Sequence, residues 1–312
     1  MTTATAPGKI ILVGEHAVVY GRPAIAVPVW ERVATATITN GPPNSGCCIA
    51  AKDIDRTLLL AQATDDEPLA LATRMALAQL DLPANPDWQI DLTSQLPIAS
   101  GLGSGAALSA ALVKAIYAHV GQSISPEQVS RVVYASEQLY HGTPSGIDNT
   151  VIAHGTPIWF VKGEAPTAFV PKESFTIVIA DSGITAPTKE TVGDVRKGWQ
   201  AKPTHYEAWF DAIGNIVQQT RDAIEMGTVV GLGGLFQQNQ SILHQLGVSS
   251  APLERLIDVA QRAGSLGAKL SGGGRGGNII ALVTAETVDA VTSSLTNAGV
   301  RQLITTQIGS NQ

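Results

Sequence analysis

The chain has 312 residues, with 20 Lys and Arg against 26 Asp and Glu, for a net charge of −6. No Lys/Arg block is present, which argues against a broad nucleic-acid surface, and no apolar run approaches the roughly 18 residues of a membrane span. Hydrophobic residues at 44% and charged residues at 15% describe an ordinary soluble chain, long enough for two domains.

The opening residues, Met-Thr-Thr-Ala-Thr-Ala-Pro, lack the basic and apolar regions of a secretory leader, so a cytoplasmic location is expected. Residues 8–14 read as a short buried strand ending at glycine. Alternation over 33–39 and 88–93 predicts two strands with one face buried. Adjacent Cys47 and Cys48 offer neither a disulfide framework nor metal-ligand spacing and read as ordinary strand thiols. Helical spacing runs from Glu67 to Leu80, and a longer helix is expected from Ser104 to Val120, stopping at Gly121. Ser125-Pro126-Glu127-Gln128 is a helix start with a capping serine, proline at the first position and a glutamine able to cap back.

Strands are expected near 157–161 and 175–181, then helices over 204–226, 228–245 and 251–264. A strand at 278–283, a helix near 285–298 and a strand near 302–308 complete the chain. The change from strands to long helices near residue 172 suggests domains of 1–172 and 173–312. Mixed, non-alternating elements favour an α+β class.

Four stretches carry chemistry. Residues 97–107, Pro-Ile-Ala-Ser-Gly-Leu-Gly-Ser-Gly-Ala-Ala, place a glycine-rich loop directly ahead of a helix, a ready site for phosphate. No Gly-Lys is followed by Ser or Thr, so this is not a Walker A loop. Residues 272–277 match Gly-x-Gly-x-x-Gly but lead into an apolar strand rather than a helix, which rejects a dinucleotide reading. Ser271 to Gly277, with five glycines in seven residues, has more backbone freedom than a turn requires. His141 to Asn149 follows the helix carrying Glu137 and contains Asp148. Pro7 to Gly21 puts Lys9 at the entry of an apolar strand and Glu15-His16 at its exit. Taken singly, Asp148 could be a turn residue, Glu137 a solvated charge and the Ser271 loop a plain turn.

Together, in this order, the four stretches resemble the galactokinase, homoserine kinase, mevalonate kinase and phosphomevalonate kinase superfamily. Within it, Pro-Gly-Lys-Ile-Ile-Leu-Val-Gly-Glu-His-Ala-Val-Val-Tyr-Gly is similar to mevalonate kinases. The resemblance implies an N-terminal domain like ribosomal protein S5 domain 2, a ferredoxin-like C-terminal domain and an active site between them. It implies phosphorylation of the 5-hydroxyl of (R)-mevalonate by ATP with Mg²⁺, in the mevalonate route to isoprenoids. Pro97 and Ser100, Gly101, Leu102, Gly103, Ser104, Gly105 and Ala106 would bind ATP. Glu137 and Ser104 would hold the metal. Asp148 and Lys9 would be catalytic, with Glu15, His16, Arg196, Ser271, Gly272 and Gly273 completing the substrate site. A carboxylate such as Asp148 can accept the proton of a poorly nucleophilic alcohol. A nearby lysine stabilises the developing alkoxide, and an arginine fork suits the substrate carboxylate.

Three residues depart from the family pattern. Gly105 stands where a second serine is common, Arg275 where glycine is common, and His154 where an aromatic residue is often found. Two other readings stay open. A phosphomevalonate or other small-alcohol kinase would draw on further cations, for which Arg22, Lys189 and Lys197 are available. A non-catalytic nucleotide or metabolite sensor would be expected to lose the base or the lysine. The superfamily is often dimeric, and no residue pattern here decides that.

Overall fold

The computed structural model describes residues 1–97, 101–141 and 144–309. The chain forms two compact units, Met1–Lys9 with Pro28–Gly155, and Ile10–Val27 with Thr156–Gln312. The division expected near residue 172 falls inside the second unit. Composition registers the shift from strands to helices, whereas packing already groups the short strands after Gly155 with the later chain.

Strands β1 (Thr2–Val13) and β2 (Ala24–Asn40) each run through both units. In the first unit, Ala34, Ala36 and Ile38 of β2 point into the core, as the alternation predicts. Strands β3 (Cys48–Ala51) and β4 (Arg56–Leu59) escape prediction because four residues carry too little pattern. Helix α1 (Pro68–Gln79) precedes β5 (Trp88–Ser94), which pairs antiparallel with β2, Ile90 opposite Ile38. The strand order here is β4-β3-β5-β2, with β3 parallel to β5.

Helix α2 (Ser104–His119) is buried on most of its circumference by alanines at 106, 107, 110, 111 and 115. Small side chains let it pack against α1 and against α3 (Pro126–His141). The expected cap at the start of α3 is formed. Gln128 N–H donates to Ser125 Oγ (3.3 Å), and Ser125 N–H donates to the Gln128 side chain (3.0 Å). Ser136 on α3 donates to Ser109 on α2 at 3.2 Å. A short helix, α4 (Ile147–His154), begins after Gly146 and ends at Gly155, both with positive φ. Eight residues between glycine-rich flanks gave no periodicity to read.

The second unit begins with β6 (Ile158–Phe160), paired with the first residues of β2, and β7 (Thr167–Ala168). Next come β8 (Phe175–Asp181), α5 (Thr188–Ala201), α6 (Pro203–Met226), α7 (Leu232–Gln245) and α8 (Ala251–Arg262). Strands β9 (Gly267–Ser271) and β10 (Asn278–Val283), helix α9 (Val288–Asn297) and β11 (Gln302–Ile308) finish the chain. The order β11-β8-β10-β9 is antiparallel throughout. Counted from β8, that is 4-1-3-2, the ferredoxin-like arrangement expected for this part. Helices α7, α8 and α9 pack on the sheet. Strands β8, β9 and β10 are buried over nearly every residue, each large aliphatic contributing roughly 1.5–3 kcal/mol.

Candidate active site

In the first unit, Lys9 and Asp148 meet. Lys9 Nζ lies 2.8 Å from Asp148 Oδ1; the lysine side chain is 7% exposed and the carboxylate 36%. Lys9 is aimed by the strand that carries it, whose N–H donates to Leu102 O at 3.0 Å. This bond ties the strand to the first glycine-rich loop. Gly103, at φ +74°, leads into α2, and a Cβ there would sit 3.1 Å from Lys9 Cγ and 2.8 Å from Ile152 Cδ1. Glycine is therefore required at 103 both for backbone conformation and for the close approach of Lys9. Asp148 stands in the first turn of α4, where the helix dipole favours a negative charge.

Among the other loop residues, Gly101 is exposed at φ +78°, and Pro97, Ser104 and Gly105 are half-buried. Leu102 and Ala106 are buried anchors. Ser100 lies outside the described residues, as do Gly142 and Thr143 of the third stretch. The first turn of α2 presents backbone N–H groups that have no partner within the helix. Glu137, on α3, faces this turn. A Cβ at Gly105 would lie 3.2 Å from Glu137 Oε1. Burial, with the charge of Asp148, pushes the Glu137 carboxyl up to about 7, and Lys9 partly opposes the rise.

In the second unit, β1 ends just before Gly14 (φ +104°), and the turn that follows buries Glu15 and His16. Glu15 forms a fully buried ion pair with Lys269 of β9. His16 Nε2 lies 3.1 Å from Gly273 O. Burial holds the imidazole well below its usual range, at about 4, so the ring is neutral and Nε2 carries the proton donated to that carbonyl. Ser271 Oγ donates to Ile11 O at 2.8 Å. Gly272 and Gly273 follow, half-buried, on the loop before β10. Arg196, on α5, is exposed, and its guanidinium lies beside the hydroxyl of Tyr20. Tyr20 is stacked on Phe210 with ring centroids 4.1 Å apart.

The chain matches the family descriptions "GHMP kinases N terminal domain" over residues 69–156 and "GHMP kinases C terminal" over 220–301. It is 34% identical over 299 residues to a mevalonate kinase of Pyrococcus horikoshii, covering 89% of this chain and 88% of that one. The chain belongs to the GHMP kinases. Its fold is also similar to that of the L. major mevalonate kinase solved with R-mevalonate: TM-score 0.83, 26% identity, 100% of this chain and 97% of that chain covered. Against the Methanococcus jannaschii mevalonate kinase the TM-score is 0.85 at 23% identity, covering 99% and 98%. GHMP kinases are ATP-dependent phosphotransferases, which agrees with the ATP expectation.

Several questions raised by this GHMP kinase's sequence receive structural answers. Arg275 neither points freely to solvent nor stands unpaired: Nη1 lies 2.7 Å from Asp194 Oδ2, and Nε donates to Gly247 O at 3.2 Å. His154 closes α4, 3.9 Å from Glu127, and burial lowers its pKa. Arg22 is held by Glu207 and Asp211, and Lys197 by Asp194. Sequence reasoning missed Lys269 and Tyr20. The signal for Lys269 was present in Gly-Ala-Lys-Leu-Ser, a lysine inside an apolar strand, the same anomaly that singled out Lys9.

Proposed function

We propose that this GHMP kinase transfers the γ-phosphoryl group of ATP to the 5-hydroxyl of (R)-mevalonate, giving 5-phosphomevalonate and ADP. The observation that carries the reading is the Lys9–Asp148 pair set against the glycine that opens α2. A carboxylate that can accept a proton, with a cation beside it, close to a helix start suited to phosphate, supports this reading. The curated relative named above, at 34% identity over most of the chain, supports mevalonate as the acceptor.

In this reading Asp148 accepts the proton of the acceptor hydroxyl as the phosphoryl group moves. Lys9 stabilises the alkoxide that develops there. The amides of the glycine-rich loop and of the first turn of α2 hold the nucleotide phosphates. Phosphoryl transfer has a loose, in-line transition state, so positioning and charge neutralisation supply most of the acceleration. Mg²⁺ fits the residues present: the Glu137 carboxylate and the Ser104 hydroxyl are hard oxygen donors. Burial first, and then the charge of Asp148, raise the Glu137 pKa, and a bound cation would favour the ionised carboxylate there. When bound, the ion would neutralise phosphate charge.

Arg196, with Tyr20 beside it, is assigned to the mevalonate carboxylate, and Glu15, His16 and Ser271 to Gly273 to the substrate side of the site. A phosphorylated acceptor would call on additional cations. One of the three candidates, Arg22, is already neutralised by Glu207 and Asp211, which favours the unphosphorylated alcohol. Both the base and the lysine are present, which argues against a non-catalytic sensor. The test is a coupled ADP-release assay with mevalonate, phosphomevalonate, galactose and homoserine in parallel. Turnover confined to mevalonate is expected; preferred turnover of phosphomevalonate would replace this reading.

A further inference from the structure

His16 has φ +62° and ψ −48°, a conformation that a side chain with a Cβ rarely adopts. It is the centre of a three-residue turn closed by Ala17 N–H donating to Glu15 O at 2.7 Å. A γ-turn of this hand is rare and strained, and strain of that kind persists only where the surroundings over-determine it. The surroundings here are specific. Upstream, Gly14 packs so closely on Ala24 that an added Cβ would lie 2.5 Å from its Cα. Glu15 is gripped by Lys269, with both side chains at 0% exposure. Lys269 Nζ also donates to the carbonyl of Leu270, the residue before Ser271. His16 itself donates from Nε2 to Gly273 O, and Ser271 Oγ donates to Ile11 O.

A buried ion pair is a costly way to hold a core together, since apolar residues of similar volume often do as well or better. Its retention at this point calls for a reason other than stability. We propose that Lys269 is a positioning residue: through the Glu15 carboxylate it holds the strained turn at His16 and so fixes the imidazole, in its Nε2–H form, against the loop that starts at Ser271. A carbonyl can only accept, so this contact selects the tautomer and leaves Nδ1 of the neutral ring as an acceptor. The inference deepens the reading that His16 and the Ser271 loop serve the substrate.

The test is the double variant Glu15→Leu/Lys269→Met, which removes both charges together. The thermal midpoint should be unchanged or higher, while kcat falls by about 10²-fold, the scale of a misplaced active-site group, with the KM for ATP unchanged. Long-range ¹H–¹⁵N NMR of His16 should show loss of the single Nε2–H form. If the double variant does not fold, Lys269→Met alone, in which Glu15 can take up a proton, carries the same readouts. Either kcat or the His16 tautomer remaining as in wild type overturns the proposal. Because kcat is read on whichever acceptor the wild type turns over, failure with mevalonate would count against the function proposed above and not against this role.

Discussion

Asp148 and Lys9 are separated by most of a domain in sequence, yet their charged atoms lie 2.8 Å apart. If the carboxylate takes the acceptor proton, Asp148→Ala should retain nucleotide binding and lose at least ~10²-fold in kcat. Near-normal turnover in that variant, with ATP binding checked by titration, would remove Asp148 from the chemistry. Arg196 makes a different prediction, because its proposed contact is to a part of the substrate that does not react. Arg196→Ala should raise the KM for mevalonate by the equivalent of roughly 1.5–3 kcal/mol, the range for a hydrogen bond to a charged group. An unchanged KM would reassign Arg196 as an ordinary exposed helix cation.

Elements matter here through how closely they approach. Helix α7 meets strand β9 backbone to backbone: a Cβ at Gly233 would lie 2.1 Å from Leu266 O, and one at Gly267 would lie 2.2 Å from Gly233 O. No flexible side chain can yield, so Gly233→Ala must push the helix off the strand. The expected loss is roughly 1–3 kcal/mol, typical of overpacking, read from the urea midpoint. Because β9 carries Lys269 and runs straight into the Ser271 loop, the same variant should also disturb substrate KM. A midpoint equal to wild type would mean the two elements are less tightly coupled than these distances require.

At the scale of the whole molecule, two buried groups give stability a distinctive pH dependence. Glu137 titrates near 7 in the folded protein against an ordinary 4.5, so the native state holds its proton more tightly. Stability from this group therefore falls as pH rises from about 4.5 to 7, by a total on the order of 3 kcal/mol. His16 works in the opposite sense. Its folded value of about 4 lies below the ordinary 6.5, so unfolding takes up a proton between them and stability rises with pH across that window. The two slopes oppose each other between pH 4.5 and 6.5, after which only the Glu137 loss remains. In Glu137→Gln, urea unfolding at pH 4.5, 6.5 and 8 should show a clear rise to 6.5 and then a plateau. Profiles that run parallel in wild type and variant would contradict this assignment.

The sequence by itself determined much of this protein. The 3.6- and 2-residue periods marked the long helices other than α5, and the alternating strands, because burying one face requires them. The capping signal at Ser125 marked a helix start to the residue, since the interaction is local. Four motifs in order were enough to indicate the family. Tertiary structure alone decided the rest. Strands of four residues and a helix of eight hold too few apolar positions to show a period, so β3, β4 and α4 appeared only once their neighbours were in place. Whether a charged residue is solvated or paired depends on what lies opposite it in space. Folding assigned Asp194 to Arg275 and Lys269 to Glu15, and it gave Glu137 its raised pKa, because desolvation and the field of a neighbouring carboxylate act through distances that no spacing along the chain encodes.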